Sequence, residues 1–208
     1  MDKNFIIGIP LRDFSDPMTR LSNDISLDIR INLIKHMFLN IVKSFQQMDV
    51  DIFSITKDSS VIDYSKKIGI ESFISKSKGL SEEALEFLNS NKKYKGWTIC
   101  HADLPYITKY YAKNWINECM NNEILICESK DSGTPIIGGK NYIKALHYGE
   151  NSFKKHTEML NNENIKYKKV FHKELSFEVD DLEDYKQLVK NQPRWLRKIS
   201  NTSSPDRI

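Results

Sequence analysis

The amino-acid sequence predicts an α/β fold in which a parallel or mostly parallel sheet is covered by helices on both faces. Three observations lead to this prediction. Short apolar runs alternate with longer segments whose apolar residues recur at helical spacing. The first run, Phe5–Pro10, is almost continuously apolar, as expected for a strand buried on both faces. The chain has 208 residues, 39% of them hydrophobic, which suits one domain with a substantial core.

Helices and strands can be assigned in order along the chain. The first helix is predicted over residues 27–48, because Ile34, Phe38 and Ile41 recur there at helical spacing. The later segments continue the alternation, which favours parallel strands joined by crossover helices. One domain is expected over residues 1–200, followed by a frayed polar tail at 201–208. The other predicted strands are 51–56, 71–74, 97–100, 124–127, 167–171 and 176–179, and the other predicted helices are 59–68, 81–88, 108–120, 152–160 and 182–189.

The composition argues against several classes of function. The net charge is +3, and Lys and Arg are spread along the chain, so a nucleic-acid partner is not indicated. Cys100, Cys119 and Cys127 lack metal-site or disulfide spacing, which favours a reducing compartment. No apolar run approaches the ~20 residues that span a bilayer, and the N-terminus has no signal-peptide pattern. A soluble cytoplasmic protein, monomeric or homodimeric and without a membrane partner, is therefore expected.

Candidate functional residues follow the predicted strands, because ligands of open α/β sheets bind outside the carboxyl ends of the strands. Arg12 and Arg20 flank the exit of the first strand and could reach phosphate groups; the alternative is a solvated loop. Asp103 follows the predicted strand 97–100 in the sequence Asp-Leu-Pro. Taken alone, that tripeptide is more typical of a turn or a helix cap than of a ligand site.

Two further carboxylates lie close together near the C-terminus. Glu178 and Asp180 are two residues apart at the end of a predicted strand, where both side chains would leave one face about 6.6 Å apart. Like charges at that distance are unfavourable unless a cation lies between them, and Mg²⁺ takes oxygen ligands of this kind. The alternative is that an aspartate here caps the next helix, but Asp181 can do so and leave Asp180 free.

Neutral donors could hold an anion in two other segments. The loop at 131–135 contains a glycine and Thr134, and can turn N–H groups toward an anion, although a plain surface turn is the commoner explanation. Gly149 and Ser152 precede and begin a predicted helix, whose N-terminus favours a phosphate or carboxylate. Ordinary helix capping explains Ser152 equally well.

Four segments of the chain stand in a distinctive order and spacing. They are His-Ala-Asp-Leu-Pro at 101–105, Asp-Ser-Gly-Thr at 131–134, Tyr-Gly-Glu-Asn-Ser-Phe-Lys-Lys-His at 148–156 and Phe-Glu-Val-Asp-Asp-Leu-Glu-Asp-Tyr at 177–185. Together they resemble the 2-phospho-L-lactate guanylyltransferase family, which includes the phosphoenolpyruvate guanylyltransferases of deazaflavin coenzyme biosynthesis. The resemblance extends from Ile6 to about Val189. It implies a Rossmann-like three-layer α/β/α, nucleotide-diphospho-sugar transferase (GT-A-like) fold, with Mg²⁺ as the cofactor and GTP as a substrate.

The resemblance also assigns roles to residues. The family's metal-binding acids fall on Asp103, Glu178 and Asp180, although Glu178 stands where the family has aspartate. Its acid-substrate pocket falls on Thr134, Gly149 and Ser152. This chain departs from the family's pattern in two further segments. The family's Gly-Leu-Asn is Gly-Leu-Ser at 79–81 here, and its Gly-Thr-Asn is Gly-Thr-Pro at 133–135.

The first loop also departs from the family's pattern. Its two lysines correspond to Arg12 and Met18 here, and Met18 carries no charge. Arg12 and Arg20 are expected to neutralise the triphosphate of the nucleotide.

The predicted reaction is transfer of a nucleoside monophosphate, GMP from GTP, to the phosphate of a small phospho-carboxylic acid with release of pyrophosphate. The acceptors considered are 2-phospholactate, phosphoenolpyruvate and 3-phosphoglycerate. The alternatives are a catalytically silent nucleotide-binding protein and an enzyme for a different nucleotide or acceptor. A sugar-phosphate or molybdopterin nucleotidyltransferase would need a glycine-rich loop after the first strand, and residues 11–32 contain no glycine. A metal-dependent glycosyltransferase would need Asp-x-Asp where this chain has Asp-Leu-Pro at 103–105.

Overall fold

The structure, a computed structural model, describes residues 3–200, and the polar tail predicted at 201–208 lies outside this range. One sheet of seven strands forms the centre of the described chain. The strands are β1 (Phe5–Pro10), β2 (Val50–Ile55), β3 (Glu71–Phe73), β4 (Gly96–Cys100), β5 (Ile124–Cys127), β6 (Ile136–Gly139) and β7 (Tyr167–Val170).

The strand order is β3-β2-β1-β4-β6-β5-β7. Every neighbouring pair is parallel except those that involve β6, which is antiparallel to both β4 and β5. The prediction of a mostly parallel sheet is thus confirmed. The helices are α1 (Leu27–Phe45), α2 (Ser59–Lys67), α3 (Leu80–Ser90), α4 (Lys109–Asn121), α5 (Ser152–Asn162), α6 (Lys173–Ser176), α7 (Leu182–Lys190) and α8 (Arg194–Ser200), and Thr19–Leu21 forms a short 3₁₀ helix.

Two apolar clusters occupy the two faces of the sheet. Successive side chains of a strand point to opposite faces, so Ile7 and Ile9 of β1 pack into one cluster and Ile6 into the other. The first cluster contains the buried side of α1 together with Trp115 of α4, and the second contains Phe87 of α3. This arrangement gives three layers, α/β/α, and explains why β1 is apolar at nearly every position. Within residues 3–200 no helix is both long and apolar enough to cross a membrane.

The predictions were wrong in three places. Residues 176–179 do not form a strand: α6 ends at Ser176, and the next residues lie in an extended segment without strand pairing. Strand β6 was not among the predicted strands; its sequence Ile-Ile-Gly-Gly is short, and glycine weakens the interior of a strand. Helix α8 was not predicted; its Trp195 donates a hydrogen bond from Nε1 to the Pro105 carbonyl oxygen at 2.7 Å and stacks on His36.

The glycines of β6 allow the neighbouring backbones to approach closely. A Cβ atom at Gly138 would lie 2.4 Å from the Trp97 carbonyl oxygen, and one at Gly139 would lie 2.0 Å from the Glu123 carbonyl oxygen. Both obstacles are main-chain atoms that cannot rotate away. The strand that joins the two halves of the sheet therefore requires glycine at these positions.

Gly139→Ala is expected to destabilise the protein, because the added methyl group would collide with the Glu123 carbonyl oxygen. Overpacking of this kind costs about 1–3 kcal/mol, which corresponds to a fall of about 2–12 °C in Tm for a chain of this size. Thermal unfolding followed by circular dichroism measures the shift. Lys140→Ala, at the next and exposed position, is the matched control and should leave the Tm within ~1 °C. An unchanged Tm in the glycine variant would contradict the close packing of β6.

Candidate active site

A cavity of about 530 Å³ opens at the carboxyl ends of β1, β2 and β4, within the size range of small-molecule sites. Four predicted site residues line it: Arg12 and Arg20 from the loop after β1, Asp103 after β4, and Asp180 before α7. The first β-strands are parallel, so their carboxyl ends meet at one edge of the sheet. Met18 lines the same cavity, with a left-handed backbone conformation at φ 52°.

The three predicted metal-binding acids are brought together at this edge. The Val179 N–H donates to the Asp103 carbonyl oxygen at 3.3 Å, which holds the segment before α7 beside the end of β4. Ligand atoms of His101, Asp103 and Glu178 lie within 4.8 Å of one another, and so do those of Asp131, Glu178 and Asp180. Glu178 therefore belongs to both groups. Glu178 and Asp180 thus lie near Asp103 as predicted, although residues 176–179 do not form the strand that was expected to place them there.

The carboxylates repel one another. Burial, followed by the charge of Glu178, raises the pKa of Asp103 well above its ordinary range. Burial and the same neighbour also raise the pKa of Asp180, against the opposing effect of Arg20. Within the described chain, Asp103 Oδ1 is buried and accepts no hydrogen bond. An orphaned buried oxygen among repelling carboxylates fits a hard divalent cation, because such a cation binds oxygen ligands and offsets their charge.

His101 is a further residue of the site that the sequence did not indicate. Its Nδ1 lies 2.7 Å from Glu178 Oε1. Burial is the largest effect and lowers the pKa of His101, but the hydrogen bond to Glu178 and the charges of the nearby carboxylates together raise it to about 9. Because a carboxylate accepts, His101 Nδ1–H is the donor of this hydrogen bond to Glu178. Asp131 was missed as well, and both residues lie inside the segments that carry the family resemblance.

Helix α7 begins with a capping box. The Asp181 carboxylate accepts a hydrogen bond from the Asp184 N–H at 3.0 Å, and the Asp184 carboxylate accepts from the N–H groups of Asp180 and Asp181 at 3.1 and 3.2 Å. The prediction that Asp181 caps this helix is confirmed. The Asp180 carboxylate is left to face the cavity, where it lies 3.5 Å from Arg20 Nη1.

Thr134 and Ser152 form a buried hydroxyl pair. Ser152 Oγ donates to Thr134 Oγ1 at 3.1 Å, and His156 Nδ1 lies 3.1 Å from the same oxygen. Because the His147 N–H donates to His156 Nε2 at 2.9 Å, the neutral ring carries its hydrogen on Nδ1 and donates it to Thr134. Burial accordingly lowers the pKa of His156 to about 4. Thr134 Oγ1 thus accepts twice, and its own hydrogen remains available for donation.

These hydroxyls do not line the cavity described above, although the residue before Thr134 lies near one of the acids. A Cβ atom at Gly133, the residue before Thr134, would lie 3.5 Å from Glu178 Oε2. Ser152 is the first residue of α5 and not its cap, since Asn151 occupies the cap position with φ 54°. Gly149 has φ 106° and its carbonyl oxygen accepts from the Ser152 N–H at 3.1 Å, so the left-handed turn requires its lack of a side chain.

Residues 5–207 match the protein family described as "Guanylyl transferase CofC like". The chain belongs to this family. The 2-phospho-L-lactate guanylyltransferase of Methanocaldococcus vulcanius is 28% identical over 170 residues, which cover 78% of this chain and 74% of that protein. The protein of the same name from Methanosphaera stadtmanae is 28% identical over 192 residues, covering 87% of this chain and 82% of its own. This CofC-like protein is thus a nucleotidyltransferase of the guanylyltransferase type, as predicted.

Solved structures share its fold. A Desulfovibrio desulfuricans protein described as a nucleotide-diphospho-sugar transferase superposes with a TM-score of 0.79 at 13% identity, covering 97% of this chain and 92% of that one. A 4-diphosphocytidyl-2C-methyl-D-erythritol synthase from Anaerococcus prevotii gives a TM-score of 0.60 at 12% identity, with coverages of 93% and 100%. A Mycobacterium tuberculosis protein solved with manganese gives 0.52 at 12% identity, with coverages of 89% and 98%. The predicted GT-A-like nucleotide-diphospho-sugar transferase fold is confirmed.

Asp103→Asn is expected to raise the Tm at pH 8 in EDTA by at least about 2 °C, because it removes a buried negative charge beside Glu178. The pKa of Asp103 is higher in the folded than in the unfolded protein, so its ionisation costs stability above the folded pKa. That cost disappears below the ordinary value of 3.8, and the gain in Tm should shrink as the pH falls. Glu183→Gln, at an exposed acid of α7, is the control. A lower Tm for Asp103→Asn at pH 8 would contradict the repulsion.

Proposed function

We propose that this protein transfers GMP from GTP to the phosphate of a small phospho-carboxylic acid and releases pyrophosphate, in a reaction that requires Mg²⁺. The observation that carries the proposal is that Glu178 lies within ligand distance of both Asp103 and Asp180. Those two aspartates line a cavity that arginines also line. The names of the relatives favour 2-phospholactate as the acceptor. Phosphoenolpyruvate and 3-phosphoglycerate present the same two anionic groups and are the alternatives.

The residues that would hold Mg²⁺ are Asp103, Glu178 and Asp180, with Asp131 beside them. When bound, the cation neutralises charge on the phosphates. His101 keeps Glu178 in place through the 2.7 Å hydrogen bond, which fixes the longer glutamate arm. Arg12 and Arg20 line the cavity and offset the remaining charge of the triphosphate.

The chemistry is a displacement at phosphorus. A phosphate oxygen of the acceptor forms a bond to the α-phosphorus of GTP, and the bond from that phosphorus to the bridging oxygen breaks, so pyrophosphate leaves with the electron pair. A phosphate monoester has a second pKa near ~6 and is already anionic at neutral pH, so no general base is needed. The protein's contribution is positioning and charge neutralisation.

The acceptor would bind beside the acids through neutral donors. Thr134 keeps its hydroxyl hydrogen for an anionic oxygen, because its oxygen accepts from both Ser152 and His156. Gly149 presents open backbone, since no atom lies within 4 Å of a Cβ built at this position. These features support the role that the family resemblance assigns to Thr134 and Gly149. Ser152 would act through Thr134, because its hydroxyl hydrogen is donated to Thr134 Oγ1.

The test is pyrophosphate release by the purified protein with Mg²⁺, for each of four nucleoside triphosphates paired with each of the three phospho-acids. Asp103→Ala and Asp180→Ala are expected to lower turnover with the active pair at least about 100-fold, with unchanged circular dichroism, because each removes a metal ligand. Glu183→Ala, an exposed acid on α7, is the control and should retain activity.

Retained Mg²⁺-dependent activity in both aspartate variants would refute the metal assignment. No release with any pair, from a folded protein that still binds Mg²⁺ and nucleotide, would favour the catalytically silent alternative. Met18 is the feature of the cavity that supports that alternative, because it stands where a lysine of the family would contact a phosphate.

A further inference from the structure

The cavity has a further wall, away from Asp103 and Asp180 along the chain. It is lined there by Ile55, Thr56 and Lys57 at the end of β2, and by Gly79, Leu80 and Glu83 at the start of α3. Strands β2, β1 and β4 are neighbours, so the ends of β2 and β4 lie about 10 Å apart. A triphosphate held by the acids and arginines after β1 and β4 would leave its nucleoside to extend along the same cavity toward β2.

Two charged side chains lie side by side at this further wall. Lys57 Nζ is 3.0 Å from Glu83 Oε1 and also donates to the Ser77 carbonyl oxygen. An ammonium group has three hydrogens and a carboxylate has about four acceptor sites, so both groups keep capacity for a ligand. Leu80, beside them, is an exposed large hydrophobic residue at 37%. A flat apolar ring with a polar edge would cover Leu80 and meet both charges.

We infer that Lys57 and Glu83 read the base of the donor nucleotide and select guanine, an inference that rests on the proposed nucleotidyl transfer. Guanine presents an acceptor, O6, beside two donors, N1–H and the N2 amino group. An adjacent ammonium and carboxylate match that order. Adenine and cytosine present an amino donor beside a ring-nitrogen acceptor. Their amino group would face the Lys57 donor and their ring nitrogen would face the Glu83 acceptor, so both contacts are unfavourable. Uracil matches at O4 and N3–H, but its O2 faces the carboxylate.

The expected order of affinity is therefore GTP, then UTP, then ATP and CTP. Inosine triphosphate provides the sharpest comparison, because it keeps O6 and N1–H and lacks only the N2 amino group. A bidentate contact to a base discriminates by about 5- to 150-fold. GTP should accordingly bind at least about fivefold more tightly than the inosine nucleotide, and more tightly still than ATP.

The experiment is equilibrium binding of GTP, inosine triphosphate and ATP in Mg²⁺, without acceptor, to wild type and three variants. Glu83→Gln is expected to bring the affinities for GTP and inosine triphosphate within about twofold, and to leave ATP binding unchanged. Lys57→Met should weaken both O6-bearing nucleotides and not ATP. Glu82→Gln is the matched control, since Glu82 carries the same charge in the same helical turn, is exposed and does not line the cavity. Circular dichroism checks the fold of each variant.

Equal binding of the three nucleotides by the wild type, or an unchanged ratio in Glu83→Gln, would overturn the inference. If the protein nevertheless transferred GMP to a phospho-acid, the proposed function would be retained and only the base contact rejected. Selective binding that depends on Glu83, with no pyrophosphate released for any phospho-acid, would support the base contact and contradict the proposed function. A protein that binds none of the nucleotides would contradict both.

Discussion

Repulsion among carboxylates at the carboxyl end of β4 is the constraint on which the rest of the site depends. Asp103 and Glu178 come from distant parts of the chain and are held together by main-chain contacts, including the bond from the Val179 N–H to the Asp103 carbonyl oxygen. The apolar layers on both faces of the sheet fix that main chain. His101 and Arg20 each offset part of the negative charge. The stability of the packed layers thus maintains an arrangement of charges that is unfavourable by itself.

Much of the fold follows from the sequence because buried strands have a simple signature. A strand such as β1, whose residues pack into both clusters, must be apolar on both faces, and its run of isoleucines shows this. Strand β6 was not predicted because the constraint on its sequence is steric and not hydrophobic. Gly138 and Gly139 are needed because the backbones of distant segments lie too close for a side chain. No local sequence pattern indicates such a long-range backbone contact. The segment at 176–179 alternates as a strand would, yet the chain finds no strand partner there.

The candidate site was predicted in part, for a related reason. Three residues of the cavity follow strands β1 and β4 along the chain, and the sequence therefore indicated them: Arg12, Arg20 and Asp103. Asp180 was chosen at the end of a predicted strand that does not form. It lies near Asp103 because the neighbouring Val179 N–H donates to the Asp103 carbonyl oxygen. The role of His101 depends on its distance to Glu178, 77 residues away, and a lone histidine has no periodic signal. Asp131 depends in the same way on the segment before α7. Thr134 and Ser152 were chosen as separate donors, but they form one hydroxyl pair whose hydrogen-bond direction is set by His156.

The capping box of α7 couples secondary structure to chemistry. Asp184, in the first turn of the helix, accepts hydrogen bonds from the backbone N–H groups of Asp180 and Asp181 and so orients the main chain at a candidate metal ligand. The start of this helix and the position of that ligand therefore depend on the same hydrogen bonds. Selection on either property constrains the same short stretch of sequence. A shortened chain that ended before residue 184 would contain every acid of the site. It would lack the Asp184 carboxylate that accepts hydrogen bonds from the backbone of Asp180 and Asp181.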